Sequence, residues 1–159
     1  MMKRLYAFGS SLMLAIASST PVLAGSAADE VLVTNPYVRA VPAVMQNSAA
    51  FMTLKNTGTN DHAVVSAVSD AAKVVELHTH VQDGEVMRMR QVDQISIQAG
   101  DTTVLEPGGL HVMLLGLTSP LGIGSNVEVN LTFSDGSTKS VVAPIKAVGG
   151  MHHGGGHGM

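Results

Sequence analysis

The sequence predicts an all-β protein, a β-sandwich with Greek-key links and a disordered Gly/His/Met-rich C-terminal tail. Three observations carry this. Short β-prone runs recur along the chain with turn residues between them, the pattern of a sandwich or barrel. No part of the body has helical periodicity over more than two turns. Past Pro144 the composition changes: glycine fills 6 of the 11 positions from 149 to 159, which leaves too little apolar matter to bury a core.

Residues 1–24 come first and read as an export signal. Lys3 and Arg4 precede an apolar run strongest from Leu12 to Ala17, and small residues around Val22-Leu23-Ala24 follow. That is the order of a secretory signal peptide, with cleavage expected after Ala24 and a weaker site at Ala28. The apolar run is shorter than the roughly 20 residues that a bilayer span needs, so no stable membrane insertion is expected after cleavage. A periplasmic location follows. The body, residues 25–148, is expected to be one domain. Its candidate strands are Val31–Thr34, Tyr37–Ala40, Ala49–Asn56, Ala63–Val68, Val74–Val81, Val86–Val92, Ile95–Gln98, Thr103–Leu105, His111–Leu117, Val127–Phe133 and Ser140–Pro144. Asn56-Thr57-Gly58, Asp83-Gly84, Pro107-Gly108-Gly109 and Asp135-Gly136 suit turns, because Gly accepts positive φ and Asn or Asp bonds its own backbone. With Tyr37, Phe51 and Phe133 as its three aromatics, the body must build its core from Val, Leu, Ile, Met and Ala.

Composition excludes whole classes. The 159 residues hold no cysteine, which removes disulfides, thiol catalysis and the cysteine-ligated blue copper site. A net charge of −3 opposes a nucleic-acid role driven by phosphate attraction. Against these stand 10 Met and 7 His, unevenly placed.

Side chains at i and i+2 of a strand share a face. By that rule His78 pairs with His80, Met87 with Met89, and His111 with Met113. The Asp83-Gly84 turn makes the first two runs hairpin partners, so His78 or His80 is expected close to Met87 or Met89. Imidazole and thioether suit copper, and thioether favours Cu(I). Met alone is common core filler. A set of imidazoles alternating along an apolar face is not, because an unpaired polar ring costs about 1–3 kcal/mol to bury.

The order and spacing of these residues resemble the PCu(A)C family of periplasmic copper chaperones. The family motif is His, ten residues, Met, twenty-one residues, His, one residue, Met, and His78, Met89, His111 and Met113 fit it at every interval. The flanks are similar too: Val75-Glu76-Leu77-His78-Thr79-His80, Asp83-Gly84-Glu85-Val86-Met87-Arg88-Met89-Arg90, and Leu105-Glu106-Pro107-Gly108-Gly109-Leu110-His111-Val112-Met113-Leu114. The resemblance spans about residues 31–145. It implies a cupredoxin-like sandwich that binds one Cu(I) through His78, Met89, His111 and Met113, with His80 and Met87 auxiliary. It implies delivery of copper to the Cu(A) centre in subunit II of a haem-copper oxidase, alongside a Sco-type protein. It implies a carrier and not an enzyme.

The tail, residues 149–159, adds Met151, His152, His153, His157 and Met159. His-rich tracts bind metal, and clustered imidazoles suit Cu(II). His62 reads as a solvated turn residue. Arg88 and Arg90 read as a solvated strand face, with a basic docking rim as the alternative. Rival functions are a copper buffer with no specific acceptor, an electron-transfer cupredoxin and a dismutase-like metalloenzyme.

Overall fold

The computed structural model describes residues 25–147. One turn of helix, α1 (Ala27–Glu30), is followed by ten strands: β1 (Val31–Arg39), β2 (Asn47–Asn56), β3 (His62–Val68), β4 (Ala72–Asp83), β5 (Val86–Gln91), β6 (Ile95–Ile97), β7 (Thr102–Leu105), β8 (His111–Leu117), β9 (Asn126–Phe133) and β10 (Thr138–Lys146). The all-β expectation holds. The expected export signal and the expected disordered tail lie outside the described residues.

The strands form two antiparallel halves. One runs β5-β4-β8-β2-β1, with β7 also on β2; the other runs β10-β9-β3-β6. A short parallel pairing, Val38 with Ile145 and Arg39 with Lys146, joins them. The sandwich is therefore one open ladder hinged at β1 and β10, not two separate sheets. The chain crosses between halves repeatedly, and neighbours distant in sequence, such as β4 with β8, are the crossovers that Greek-key links require. β3 lies against β4, and β6 against β2 and β7.

Alternation decides which face is inside. Along β9, Val127, Val129, Leu131 and Phe133 are buried; along β10, Val141, Ala143 and Ile145 are. From the other half come Val38, Ala50, Met52, Leu54, Leu77, Val112 and Leu114. Leu77, Val112 and Ala50 belong to this core, so His78, His111 and Phe51, one residue on or back, point to the opposite, outer face.

Two expected strands, Val31–Thr34 and Tyr37–Ala40, are one strand. β1 passes through a register shift between Thr34 and Tyr37, and Asn35 there has φ 51, a left-handed conformation that Asn tolerates. α1 was not anticipated. Ser26 caps it, accepting from the Asp29 N–H at 3.3 Å. The Ala27 N–H donates to Asp135 Oδ2 at 2.7 Å, the Ala28 N–H donates to Ser137 Oγ, and Lys139 Nζ donates to the Ala28 carbonyl. His62 is also not solvated. It is buried at the start of β3, with Nε2 2.7 Å from Glu30 Oε2.

Candidate metal centre

The outer face of β5, β4 and β8 gathers the His and Met of the sequence pattern. Directly paired cross-strand residues share a face. His78 pairs with His111, and Glu76 with Met113. His80 pairs with Met89, and Gln82 with Met87. The β4–β5 connection is the tight turn expected: Gly84 and Glu85 alone lie between Asp83 and Val86, and Gly84 has φ 64. A glycine at the first central position is what a two-residue hairpin of this kind favours.

Three imidazoles cluster here. The His111 ring lies 5.7 Å from that of His78 and 5.2 Å from that of His80, centroid to centroid. His111 is 2% exposed although it sits on the outer face. Its neighbours cover it: the two other imidazoles, and Phe51 at 6.2 Å.

The polar partners of these rings fix their tautomers. His111 Nδ1 is 3.1 Å from the Gly109 carbonyl. A carbonyl only accepts, so Nδ1 carries the proton and Nε2 is left with its lone pair. That Nε2 is buried without a partner. His78 Nε2 is 2.7 Å from Glu76 Oε2. There Nε2 donates to the carboxylate, and Nδ1 is left buried without a partner. His80 Nδ1 stands 3.5 Å from the same Gly109 carbonyl, beyond the range of a good hydrogen bond. The loop before β8 sets that carbonyl in place. Gly109 N–H donates to the Glu106 carbonyl, Glu106 N–H donates to the Leu110 carbonyl, and Gly108 takes φ 85. A side chain at position 108 would resist that conformation.

Burial, the largest cause, pulls the His111 pKa below its ordinary 6.5; the charges of His80, His78 and Arg39 act the same way, and the Gly109 hydrogen bond opposes them. A desolvated neutral imidazole with a free lone pair results. Each unpartnered buried nitrogen costs about 1–3 kcal/mol, and the pairing of two such atoms on adjacent strands is the chief chemical feature of the face. The carboxylate and carbonyl behind the rings are the outer partners that metal-binding histidines use.

The thioethers are placed less uniformly. Met113 is half-buried, two residues along β8 from His111. Met89 is 45% exposed on β5, the edge strand, opposite His80 rather than His78. Met87 is one pair further from the imidazoles and 52% exposed. Among the described residues, no group of three or more His, Asp or Glu side chains is arranged to hold a metal ion. Arg88 and Arg90 alternate with the methionines and face away from them, and Arg88 pairs with Asp83 at 2.9 Å. Met151, His152, His153, His157 and Met159 lie outside the described residues. The sequence places Glu76 on the face of His78 and His80 without a role there, and gives no sign of Gly109 and Phe51 as partners of the imidazoles. Glu76 was legible by parity with His78; Gly109 is local, two residues before His111, and Phe51 depends on long-range pairing.

A family model described as "Putative lipoprotein LpqE-like" matches residues 31–145. The "Putative lipoprotein Lxx21020" of Leifsonia xyli subsp. xyli is 40% identical over 143 residues, covering 89% of this chain and 83% of that one. The solution structure of CuI-DR1885 from Deinococcus radiodurans is similar at TM-score 0.62 and 32% identity, over 82% of this chain and 85% of that one. A copper-bound PCuAC domain from PmoF2 matches at TM-score 0.65 over 75% of this chain and 94% of its own, at 18% identity; that likeness concerns the fold.

Proposed function

The chain belongs to the LpqE-like, PCu(A)C family, and from that premise we propose that it is an exported carrier of Cu(I). The observation that carries this is the pair of buried, unpartnered imidazole nitrogens, His111 Nε2 and His78 Nδ1, on one sheet face with Met113 and Met89. We assign these four as the ligands, with His80 and Met87 as auxiliary groups. Two imidazoles and two thioethers form a neutral, soft donor set, which suits Cu(I) over Zn²⁺ or the hard cations. The Cu(I)-bound relative from Deinococcus radiodurans supports the choice of metal.

The arrangement also suits a cargo that must leave. His111 and His78 are held by Gly109 and Glu76 on paired strands, so they are preorganised. Met89 sits exposed at the sheet edge on a flexible, neutral side chain. An incoming donor can displace it first and then draw the ion off the remaining ligands. The proposed acceptor is the Cu(A) centre of a haem-copper oxidase subunit II, with a Sco-type protein assisting. Residues 1–24 act in this reading as a cleaved signal to the periplasm. Among the described residues no helix is long and apolar enough to cross a membrane. The lipoprotein description of the relative has no thiol to rest on among these 159 residues.

The test is competition for Cu(I) between the full chain and a chromophoric chelator. The chain should take one tightly held ion, and His111→Ala and Met113→Ala should each weaken it by more than the roughly 10–100-fold that an outer partner is worth. Unchanged affinity in both variants would contradict the assignment.

A further inference from the structure

The face that carries the imidazoles continues across β2, β1 and β10 as an aromatic and cationic strip. The Phe51 ring is 6.2 Å from His111, Tyr37 is 5.1 Å from Phe51, Arg39 Cζ lies 5.8 Å over Phe51, and Lys146 Nζ lies 5.8 Å over Tyr37. We propose that Arg39 and Lys146, on their Phe51 and Tyr37 platform, are the docking surface for an acidic protein partner that receives the cargo. The inference rests on the carrier reading.

Charge is the first argument. The chain is net negative, yet these two cations stand together beside the site. Among the described residues neither has an acidic partner; Glu30, Glu76 and Asp83 are occupied by His62, His78 and Arg88. Satisfaction is the second. Arg39 Nε is buried without an acceptor, so the guanidinium is incompletely paired in the free protein. Arg39 is only part-buried, and a carboxylate arriving at its terminal nitrogens would supply the missing counterion in the planar geometry for which Arg is suited. Preorganisation is the third. Both cations are seated on aromatic rings, and rings already packed lose little freedom when a partner covers them.

Position is the fourth. Arg39 pairs with Lys146, and Ala49 with Met113. Val38 pairs with Ala50, so Arg39 and Ala49 occupy the same row. Lys146 is thus three strand spacings, about 14 Å, from Met113. A partner resting on the strip brings its own metal donors over the site without a large interface. Arg88 and Arg90 do not share this face, so the strip is distinct from the basic rim that was the alternative reading of those two residues.

The experiment uses the full chain and two synthetic peptides with identical His and Met donors, one flanked by Glu and one by Gln. Transfer of Cu(I) to each is timed by stopped flow. The Glu peptide should accept roughly tenfold faster at low ionic strength, and salt should erase the advantage. An Arg39→Gln/Lys146→Gln variant should lose it with unchanged Cu(I) affinity, and Lys146→Arg, which keeps both charges and the Arg39 guanidinium, should keep it. Equal rates in the native chain, or an advantage that survives in the Gln variant, would overturn the proposal. So would a loss of Cu(I) affinity in that variant, or preferential binding of phosphatidylglycerol vesicles with no peptide preference. The same peptides titrated onto metal-free protein separate this claim from the copper reading. Preferential Glu-peptide binding that the Gln variant loses supports the strip even for a chain that holds no copper, and absence of any preference overturns it.

Discussion

At His111 the sequence, the fold and the proposed chemistry meet in one ring. Its pKa lies below 6.5, chiefly because burial disfavours the charged form. The unfolded chain therefore takes up this proton first as pH falls. Stability from His111 is complete above the unfolded value of 6.5 and is lost as pH drops below it toward the depressed folded value. Urea unfolding of the metal-free protein between pH 7.5 and 5 should show this loss, and a His111→Gln variant should show a flatter profile. The same shift keeps the ring neutral to lower pH than an ordinary imidazole, so metal binding should persist further into acid. Glu76 acts one atom behind the site. Glu76→Gln should weaken Cu(I) binding by roughly 10–100-fold with the fold intact, read by chelator competition and circular dichroism. Little of this pairing was legible beforehand. The parity of residues 78/80, 87/89 and 111/113 is local and readable. The Gly109 carbonyl that fixes the ring is two residues away, whereas the cover that Phe51 gives His111 is set by β-ladder register, which no short window contains. His62 was misread for the same reason, since its partner Glu30 lies 32 residues away.

Each strand of the site serves two faces, and the two roles are separable. On β4, Leu77 packs into the core while His78 faces outward. Leu77→Ala should cost about 2–5 kcal/mol of stability, measured by denaturant unfolding, and leave Cu(I) affinity of the folded protein unchanged. A matching loss of affinity would mean that the imidazoles depend on core packing. The β4–β5 hairpin was legible because Asp83-Gly84 is a strong local signal. The β4–β8 adjacency that creates the site was not, because it joins strands separated by three others. α1 was missed because a single capped turn leaves no periodicity. Asp135 holds it down, and the hydrogen bonds from Ala27 and Ser137 depress its pKa from 3.8 to about 2. That contribution is present above 3.8 and is lost as pH falls toward 2. It is small, since Asp135 is exposed. Asp135→Asn should speed amide exchange at Ala27 and Ala28 while the strands stay protected.

For the whole molecule, the topology places the C-terminal exit beside the site. Lys146 ends β10 in the same row as Arg39, Ala49 and Met113. Residues 148–159, at up to about 3.3–3.6 Å each, are long enough to cover the roughly 14 Å to Met113. If the tail donors serve copper, removing residues 148–159 should lower the number of Cu(II) ions bound, by titration with electron paramagnetic resonance, and leave the single Cu(I) site in place. The central claim is that the soft site belongs to the sheet face and not to the tail. X-ray absorption on the Cu(I)-loaded protein, full-length and ending at Ala147, tests it most directly. The account predicts the same sulfur and nitrogen neighbours in both forms. Sulfur scattering that disappears with the tail would contradict it, and would reduce Met89 and Met113 to packing.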